Sequence, residues 1–345
     1  MRTLVIGGTG FMGPHVVRML HERGHRVTVF HRGQSVSDLP DGVEELLGAR
    51  ARLREFRARF RRLRPDVVLD MIALTQSDAE EVTGVFDAVA GRLVVISSQD
   101  VYRAYDVLRG LDPGPIEPSP LTEESTLRTR LFPYRGLEPR PATDPQRWMD
   151  DYDKILVERV ALDPQGLPCT VLRLPMVYGP ADRQHRMWEY LRRMIDGRPA
   201  ILLDEGLAQW RWTRGFVENV AAAIVLAATD DRARGRVFNV GEPDALSGVQ
   251  WVEAIAAAYG WAGRIVAVPE SRLPDSLRIG ADTRQHLVTD TSRIRTELGY
   301  REHVSRDEAI RRTVEWEISH PPREAESRLH VFAVEDQVLA TLPSA

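Results

Sequence analysis

The spacing of apolar residues changes period twice within the first thirty positions. Residues 2–6 form an apolar, β-branched run with no polar face, which predicts a parallel strand covered on both sides. From 11 to 23 the period becomes helical, with Val16, Val17, Met19 and Leu20 as the buried stripe and Gly24 as a left-handed stop. Residues 26–30 return to the strand pattern. Further β-branched runs at 43–47, 66–71, 92–97, 167–174 and 236–240 predict a third to a seventh strand, with helical stretches between the first five. Strands alternating with helices predict an α/β fold, a doubly wound parallel sheet.

Residues 103–146 break this rhythm, being rich in Pro, Arg and Glu, and a connection of that length in a compact domain is usually a functional lid or a mobile segment. Asp144 followed by Pro145 reads as an N-cap with proline at the first helical position, predicting a helix from there to about 162. Helices are also predicted at 216–228, from Ser247 to Tyr259 with Gly260 as terminator, and from a Ser305/Glu308 capping box to about Ser319, before Pro321 and Pro322. The expected organisation is a first domain of residues 1–175 joined by 213–242, and a smaller mixed C-terminal lobe of 176–212 and 243–330. The tail, 331–345, receives no assignment.

Between the first strand and its helix lies Gly7-Gly8-Thr9-Gly10-Phe11-Met12-Gly13. In a strand–turn–helix context these residues suit a linked pair of phosphates. Gly7 permits the tight turn, Gly10 admits a pyrophosphate close to the backbone, and Gly13 lets the helix pack on the strand, leaving the helix N-terminus aimed at the anion. The expected sheet is therefore a Rossmann sheet, with Gly7, Thr9, Gly10, Phe11, Met12 and Gly13 holding a dinucleotide. After the second strand come His31 and Arg32, where an NAD site carries an acidic residue and an NADP site an arginine. One charge-assisted hydrogen bond is worth roughly 1.5–3 kcal/mol, so Arg32 favours NADP by about ten- to a hundredfold, with NAD as the alternative.

Composition narrows the setting. A net charge of −4 argues against a nucleic-acid partner, although residues 50–64 hold eight arginines. Leu53, Phe56, Phe60 and Leu63 recur there at helical spacing, which favours an amphipathic helix with a solvated basic face. A single cysteine, Cys169, an immediate first strand and no apolar stretch approaching the ~20 residues of a spanning helix together suggest a cytoplasmic protein without a membrane partner. His185 and His286 lack partners at metal-ligand spacing, so no metal site is expected.

The glycine turn resembles that of the extended and atypical short-chain dehydrogenase/reductases, the superfamily of the NAD-dependent epimerases and dehydratases. Ser97-Ser98-Gln99-Asp100-Val101-Tyr102 resembles its Ser-Ser-x-x-Val-Tyr segment, and Leu172-Arg173-Leu174-Pro175-Met176-Val177-Tyr178-Gly179-Pro180 its Leu-Arg-Pro-x-x-Val-Tyr-Gly-Pro segment. The likeness spans residues 1 to about 318. It implies that Ser98 hydrogen-bonds the reacting oxygen, that Pro175, Met176 and Val177 border the nicotinamide, and that Lys154 holds the nicotinamide ribose. In the superfamily's 4,6-dehydratases an Asp-Glu pair serves as acid and base; here the pair is Gln99 and Asp100, leaving one carboxylate.

One departure matters. The tyrosine of the superfamily's Tyr-x-x-x-Lys pair is replaced by Asp150, and on a continuous helix Tyr152 would be turned about 200° away. A model Asp titrates near ~3.9 and a Tyr near ~10, so Asp150 one turn from Lys154 would be a weak base, with an ordinary ion pair as the competing reading. Asp100, Tyr102 or Tyr134 are the other sources of an acid/base, and the sequence does not choose among them.

The function that these likenesses imply is an NAD(P)-dependent epimerase, dehydratase or reductase acting on a sugar nucleotide or similar polyhydroxylated small molecule. Arg183, Arg186, Arg211 and Arg214 are candidates to grip a diphosphate or carboxylate, with surface arginines as the plain alternative. Two rival readings stay open: a non-catalytic, redox-sensing regulator, motivated by the missing tyrosine, and an RNA-binding protein like the superfamily's atypical chloroplast members. Family members often form a homodimer through a four-helix interface that includes the Lys154 helix, but the oligomeric state stays open here.

Overall fold

A computed structural model describes residues 1–34, 38–163, 166–322 and 329–342. The chain opens with β1 (Arg2–Ile6), α1 (Gly13–Glu22), β2 (Arg26–His31), β3 (Glu44–Leu47), α2 (Arg57–Leu63), β4 (Val67–Asp70), α3 (Gln76–Phe86), β5 (Leu93–Ser98), α4 (Arg103–Leu108), α5 (Lys154–Ala161) and β6 (Cys169–Leu174). It continues with β7 (Met176–Tyr178), α6 (Trp188–Ile195), β8 (Ala200–Asp204), α7 (Glu205–Gln209), β9 (Arg214–Phe216), α8 (Val217–Thr229) and β10 (Val237–Asn239). The remainder is α9 (Gly248–Tyr259), β11 (Arg264–Val268), α10 (Ser292–Leu298), α11 (Arg306–Ser319) and α12 (Leu329–Ala340).

Seven strands form one parallel sheet in the order β10-β6-β5-β4-β1-β2-β3. The doubly wound parallel expectation holds. Chain order reverses at β1, whose neighbours are β2 and β4, so the crevice for a ligand opens beyond the carboxyl ends of β1 and β4. Both faces are dry. Along β1, Leu4 and Ile6 join a core that contains Phe60 of α2, Phe86 of α3 and Val157 of α5, whereas Val5 joins Val16, Val17 and Leu20 of α1 and much of α8 on the other side. That two-sided burial is why the strands read as unbroken apolar runs rather than as alternating ones.

The basic stretch is a 3-10 segment, Arg50–Phe56, followed by α2, with Leu53 and Phe60 buried as the spacing predicts. Arg50 is not part of a solvated face: it forms ion pairs with Asp70 (2.6 Å) and Asp78 (2.8 Å).

Beyond the main sheet lie two short parallel pairs, β7 with β9 and β8 with β11, around α6, α7, α9 and α11. The tail left unassigned from sequence contains α12, whose buried Glu335 pairs with Arg193 (Nε to Oε1, 2.9 Å). Residues 323–328, placed in the smaller lobe by sequence, lie outside the described residues.

Two departures from the sequence expectation shape the site. The 103–146 connection holds a short helix, α4, at its start. The helix expected from Asp144 begins instead at Lys154, capped by Asp153, whose carboxylate accepts the Ile155 N–H at 2.9 Å. Pro145 sits in a turn, and a single 3-10 turn, Arg147–Asp150, is all that forms of the predicted upstream helix.

Candidate active site

The glycine turn sits at the switch point. Gly7 has φ +83°, a conformation that strains a side-chain-bearing residue, and a Cβ there would also meet Ile72 at 2.7 Å. A Cβ on Gly13 would stand 2.3 Å from the Gly8 carbonyl carbon, so only glycine lets α1 start this close to β1. At Gly10, by contrast, a Cβ would meet nothing within 4 Å. The N-cap, Met12, makes no side-chain cap, so no side chain competes for the first N–H groups of α1. Together with Thr9 and Phe11, both partly exposed, these residues make an open, uncapped, positively poled cradle that fits the pyrophosphate of a dinucleotide.

At the end of β2, His31 is buried, with Nε2 2.7 Å from Glu45 and Nδ1 accepting the Gly33 N–H at 3.3 Å. Its ring braces the turn. Arg32 next to it is exposed and makes no hydrogen bond or ion pair with another described residue, which leaves its guanidinium available to a ligand.

The cradle connects directly to the second half of the site. Ile72, packed on Gly7, is followed by Ala73, whose carbonyl accepts the Lys154 ammonium at 2.5 Å. Lys154 also donates to the Ile96 carbonyl at 2.8 Å. Two of its three N–H donors are thus fixed and one is left over. Burial pushes the Lys154 pKa down to about 8, against the pull of Asp100 and Asp70.

Asp150 is not one turn from this lysine. It lies outside α5, its buried carboxylate bound by the Arg140 guanidinium, the Arg140 N–H (2.7 Å) and Arg147 (2.7 Å). Burial raises its pKa, but these partners outweigh burial and hold it below the usual carboxylate range. The expected placement of Asp150 one helical turn before Lys154 is therefore corrected: its carboxylate stands in ion pairs with Arg140 and Arg147, as in the competing reading.

The phenol in the site is Tyr152. Because α5 starts only after its N-cap Asp153, Tyr152 has no helical phase, and the 200° argument does not apply to it. Its ring lies 5.8 Å from the Lys154 Nζ, and its hydroxyl donates to Asp100 Oδ2 at 2.9 Å. Burial and the Asp100 charge push the Tyr152 pKa well up, with the Ser98 hydroxyl acting in the opposite direction. Ser98 ends β5 and accepts the Asp100 N–H at 3.2 Å. Asp100 also receives the Tyr134 hydroxyl, at 3.1 Å on the same Oδ2, while its Oδ1 is buried without a partner among the described residues. Burial pushes the Asp100 carboxyl up, opposed by Arg128, the two phenols and Lys154.

Sequence reasoning thus named Ser98, Asp100 and Lys154, which the fold brings together, and dismissed Tyr152. The signal that would have found it is Asp153 directly before the helical run 154–161, an N-cap as good in type as Asp144. Gln99 points elsewhere, donating to the Val240 carbonyl at 2.9 Å. Tyr102 is tied to Asn239 (2.7 Å) and Arg173 (3.0 Å), so it is a brace rather than an acid.

Pro175, Met176 and Val177 follow β6 at the same edge of the sheet, and Met176 also lines a cavity of about 540 Å³ bounded by α6, β8, α7 and α9. Arg186, Arg214, Trp210, Trp212 and Trp251 are among its walls. Arg214 is buried, packs 4.4 Å from the Trp251 ring centre, and keeps its Nε without a partner among the described residues. Burial pushes its pKa down to about 10, against the pull of Tyr190 and Glu242.

The model of the NAD dependent epimerase/dehydratase family matches residues 3–104 and 141–241, leaving 105–140 outside the match. The chain is 30% identical over 276 residues to a 2'-dehydrokanamycin reductase of Streptomyces kanamyceticus, covering 78% of this chain and 70% of that protein. It is 23% identical over 344 residues to a UDP-N-acetyl-alpha-D-glucosaminuronate decarboxylase of Bacillus cytotoxicus, covering 91% and 97%. Among solved structures, a UDP-glucose 4-epimerase of Thermotoga maritima with UDP-glucose superposes with a TM-score of 0.65 at 20% identity, covering 92% of this chain and 99% of that one. The Bordetella bronchiseptica enzyme WbmG in complex with NAD does so with a TM-score of 0.66 at 18% identity, covering 93% and 94%. At these identities the structural likenesses show the shared fold.

Proposed function

Because this chain is an enzyme of the NAD dependent epimerase/dehydratase family, we propose that it oxidises or reduces a carbinol or keto carbon of a sugar nucleotide or similar anionic sugar, with Tyr152 in the place of the usual tyrosine. The observation that carries this reading is the convergence of the Tyr152 phenol, the Lys154 ammonium and the Ser98 hydroxyl one residue away from the contact with Gly7. A nicotinamide ring, when bound, supplies the hydride acceptor or donor. The chain's own residues do the rest. The free N–H of Lys154 is placed for ribose hydroxyls, Ser98 for the reacting oxygen, and Tyr152, which burial keeps protonated, for giving that oxygen a proton. The regulator reading drew on a missing phenol, and Tyr152 removes that motive.

Arg32 supports NADP over NAD, since it is exposed and otherwise unengaged. In the adjoining cavity the unpartnered Nε of Arg214 and the nearby Arg186 suit a phosphate or carboxylate, and the tryptophan walls suit a ring.

The test is calorimetry with NADP+ and NAD+, followed by nicotinamide absorbance and product NMR across a panel of nucleotide sugars and keto sugars. NMR covers the case in which the hydride is returned and absorbance does not change. Binding of NADP+ in preference to NAD+, and turnover abolished in Y152F with binding kept, is the expected result. No heat with either nucleotide, or parental turnover in Y152F, overturns the reading.

A further inference from the structure

Tyr152 is a buried phenol that has to lose and regain a proton in each cycle, and the structure offers it few exits. On the Lys154 side, the ammonium is itself buried and two of its donors are fixed on the Ala73 and Ile96 carbonyls. On the other side stands Asp100, and behind it Tyr134. Both phenols donate to the same carboxylate oxygen, at 2.9 and 3.1 Å, with ring centres 5.3 Å apart. Tyr134 is only partly buried, so the three groups run from the interior toward solvent.

The placement of Tyr134 is built rather than incidental. Arg128 donates through Nε to the Asp100 carbonyl at 2.7 Å and pairs with the fully buried Asp153 at 3.1 Å. The Phe132 N–H donates to the same Asp153 carboxylate at 2.6 Å, with Phe132 itself held at φ +55°. A side-chain-bearing residue in that conformation costs of order 1–3 kcal/mol and persists where the surroundings over-determine it. Arg109 then lies 5.2 Å from the Tyr134 ring centre. Asp153 thus both starts α5, which frees Tyr152 from the helix, and anchors the turn that presents Tyr134. The segment that carries Tyr134 lies outside the residues that the family model matches.

We propose that Tyr134 and Asp100 form a proton path serving Tyr152, with Asp100 as the bridge and Tyr134 as the solvent-side end. This rests on Tyr152 being the acid/base. A bound nicotinamide would take the hydride when a substrate hydroxyl is oxidised; the hydroxyl proton goes to the Tyr152 oxygen, while the Tyr152 proton moves along its hydrogen bond to Asp100. The Tyr134 hydroxyl, which donates to Asp100 Oδ2 at rest, then turns toward water, takes that proton from the Asp100 acid on its oxygen and releases its own to water. One proton leaves the substrate, one enters solvent, and Asp100 returns to the carboxylate. Reduction runs the same path backward. The charged and titratable groups facing Asp100 are Arg128, Lys154, Tyr152, Tyr134 and, from α4, Tyr105. Burial already pushes the Asp100 carboxyl up, which suits a transient proton acceptor.

The test needs neither substrate nor cofactor. Exchange of the Tyr152 hydroxyl proton with water is read from the deuterium isotope shift on 13Cζ of labelled tyrosine in the full chain, with the resonance assigned by its loss in Y152F. The path predicts that Y134F slows this exchange by about tenfold or more, the scale of one lost hydrogen bond. Asp100→Asn is expected to do the same and serves if Y134F does not fold. Loosened packing would speed exchange instead, so the sign separates a relay from a structural role. Unchanged or faster exchange in the folded variants overturns the path. If Y152F turns substrate over at the parental rate, the function reading fails; if Y152F is inactive and exchange ignores Y134F, the relay alone fails.

Discussion

The amino-terminal cradle and the Tyr152 cluster meet at Ile72 and Ala73, yet they are made in opposite ways. The cradle is local: a strand, a turn and a helix within twenty-two residues, in which Gly7 and Gly13 are dictated by backbone geometry alone. The cluster is assembled from three separate stretches, one holding Ser98 and Asp100, one Tyr134 and one residues 152–154, and it is aligned by Asp153 and Arg128, which stand 25 residues apart. The lesson is that a site set by the backbone keeps its spacing in sequence. On the proposed assignment of Tyr152, a site set by a buried ion pair carries its phenol two positions from the expected slot.

Breaking the cluster should have the larger effect. Replacing Tyr152 with Phe is expected to lower turnover by about 10²–10⁴-fold, the usual worth of a positioned acid/base, with calorimetric affinity for the cofactor retained. Parental turnover would return the role to another group. The cradle is sharpened by a pair of substitutions. Gly13→Ala forces a backbone contact and should cost roughly 1–3 kcal/mol in thermal or denaturant unfolding as well as cofactor affinity. Gly10→Ala should weaken only the cofactor, because its methyl enters open space. Equal loss of stability in both would mean that the turn is structural throughout. Next in size, Arg32→Ala should reduce the preference for NADP+ over NAD+ by about ten- to a hundredfold in dissociation constants, and an unchanged ratio would remove Arg32 from the site.

The smallest effect is one of pH. Lys154 titrates near about 8 folded and 10.5 unfolded, so between those values the unfolded chain binds more protons. Stability should therefore rise with pH across that interval, while cofactor grip falls as the ammonium is lost. Thermal unfolding of the parent against Lys154→Met checks it: the rise should vanish in the variant.

Much of this was legible in the sequence. The seven sheet strands follow from apolar runs, and Gly24 and Gly260 do end their helices at φ +76° and +81°. Ser98, Lys154 and Asp100 were named. What misled was the stretch 144–153. Asp144-Pro145 is the stronger local start signal, but Asp153 wins because Arg128 and the Phe132 N–H, both from the long connection, converge on its carboxylate. Local propensity carries no trace of partners that far away. The same blindness hid Arg50, whose place in an arginine-rich run concealed its ion pairs with Asp70 and Asp78.

If the proposed function holds, Tyr152, and not Asp150, meets the reacting oxygen, and a crystal structure with NADP+ and a bound sugar decides between the two. The Tyr152 oxygen should lie within about 3.2 Å of the reacting oxygen, with Asp150 still held by Arg140 and Arg147. A structure in which Asp150 has left its arginines to make that contact, with Tyr152 turned aside, would contradict the claim.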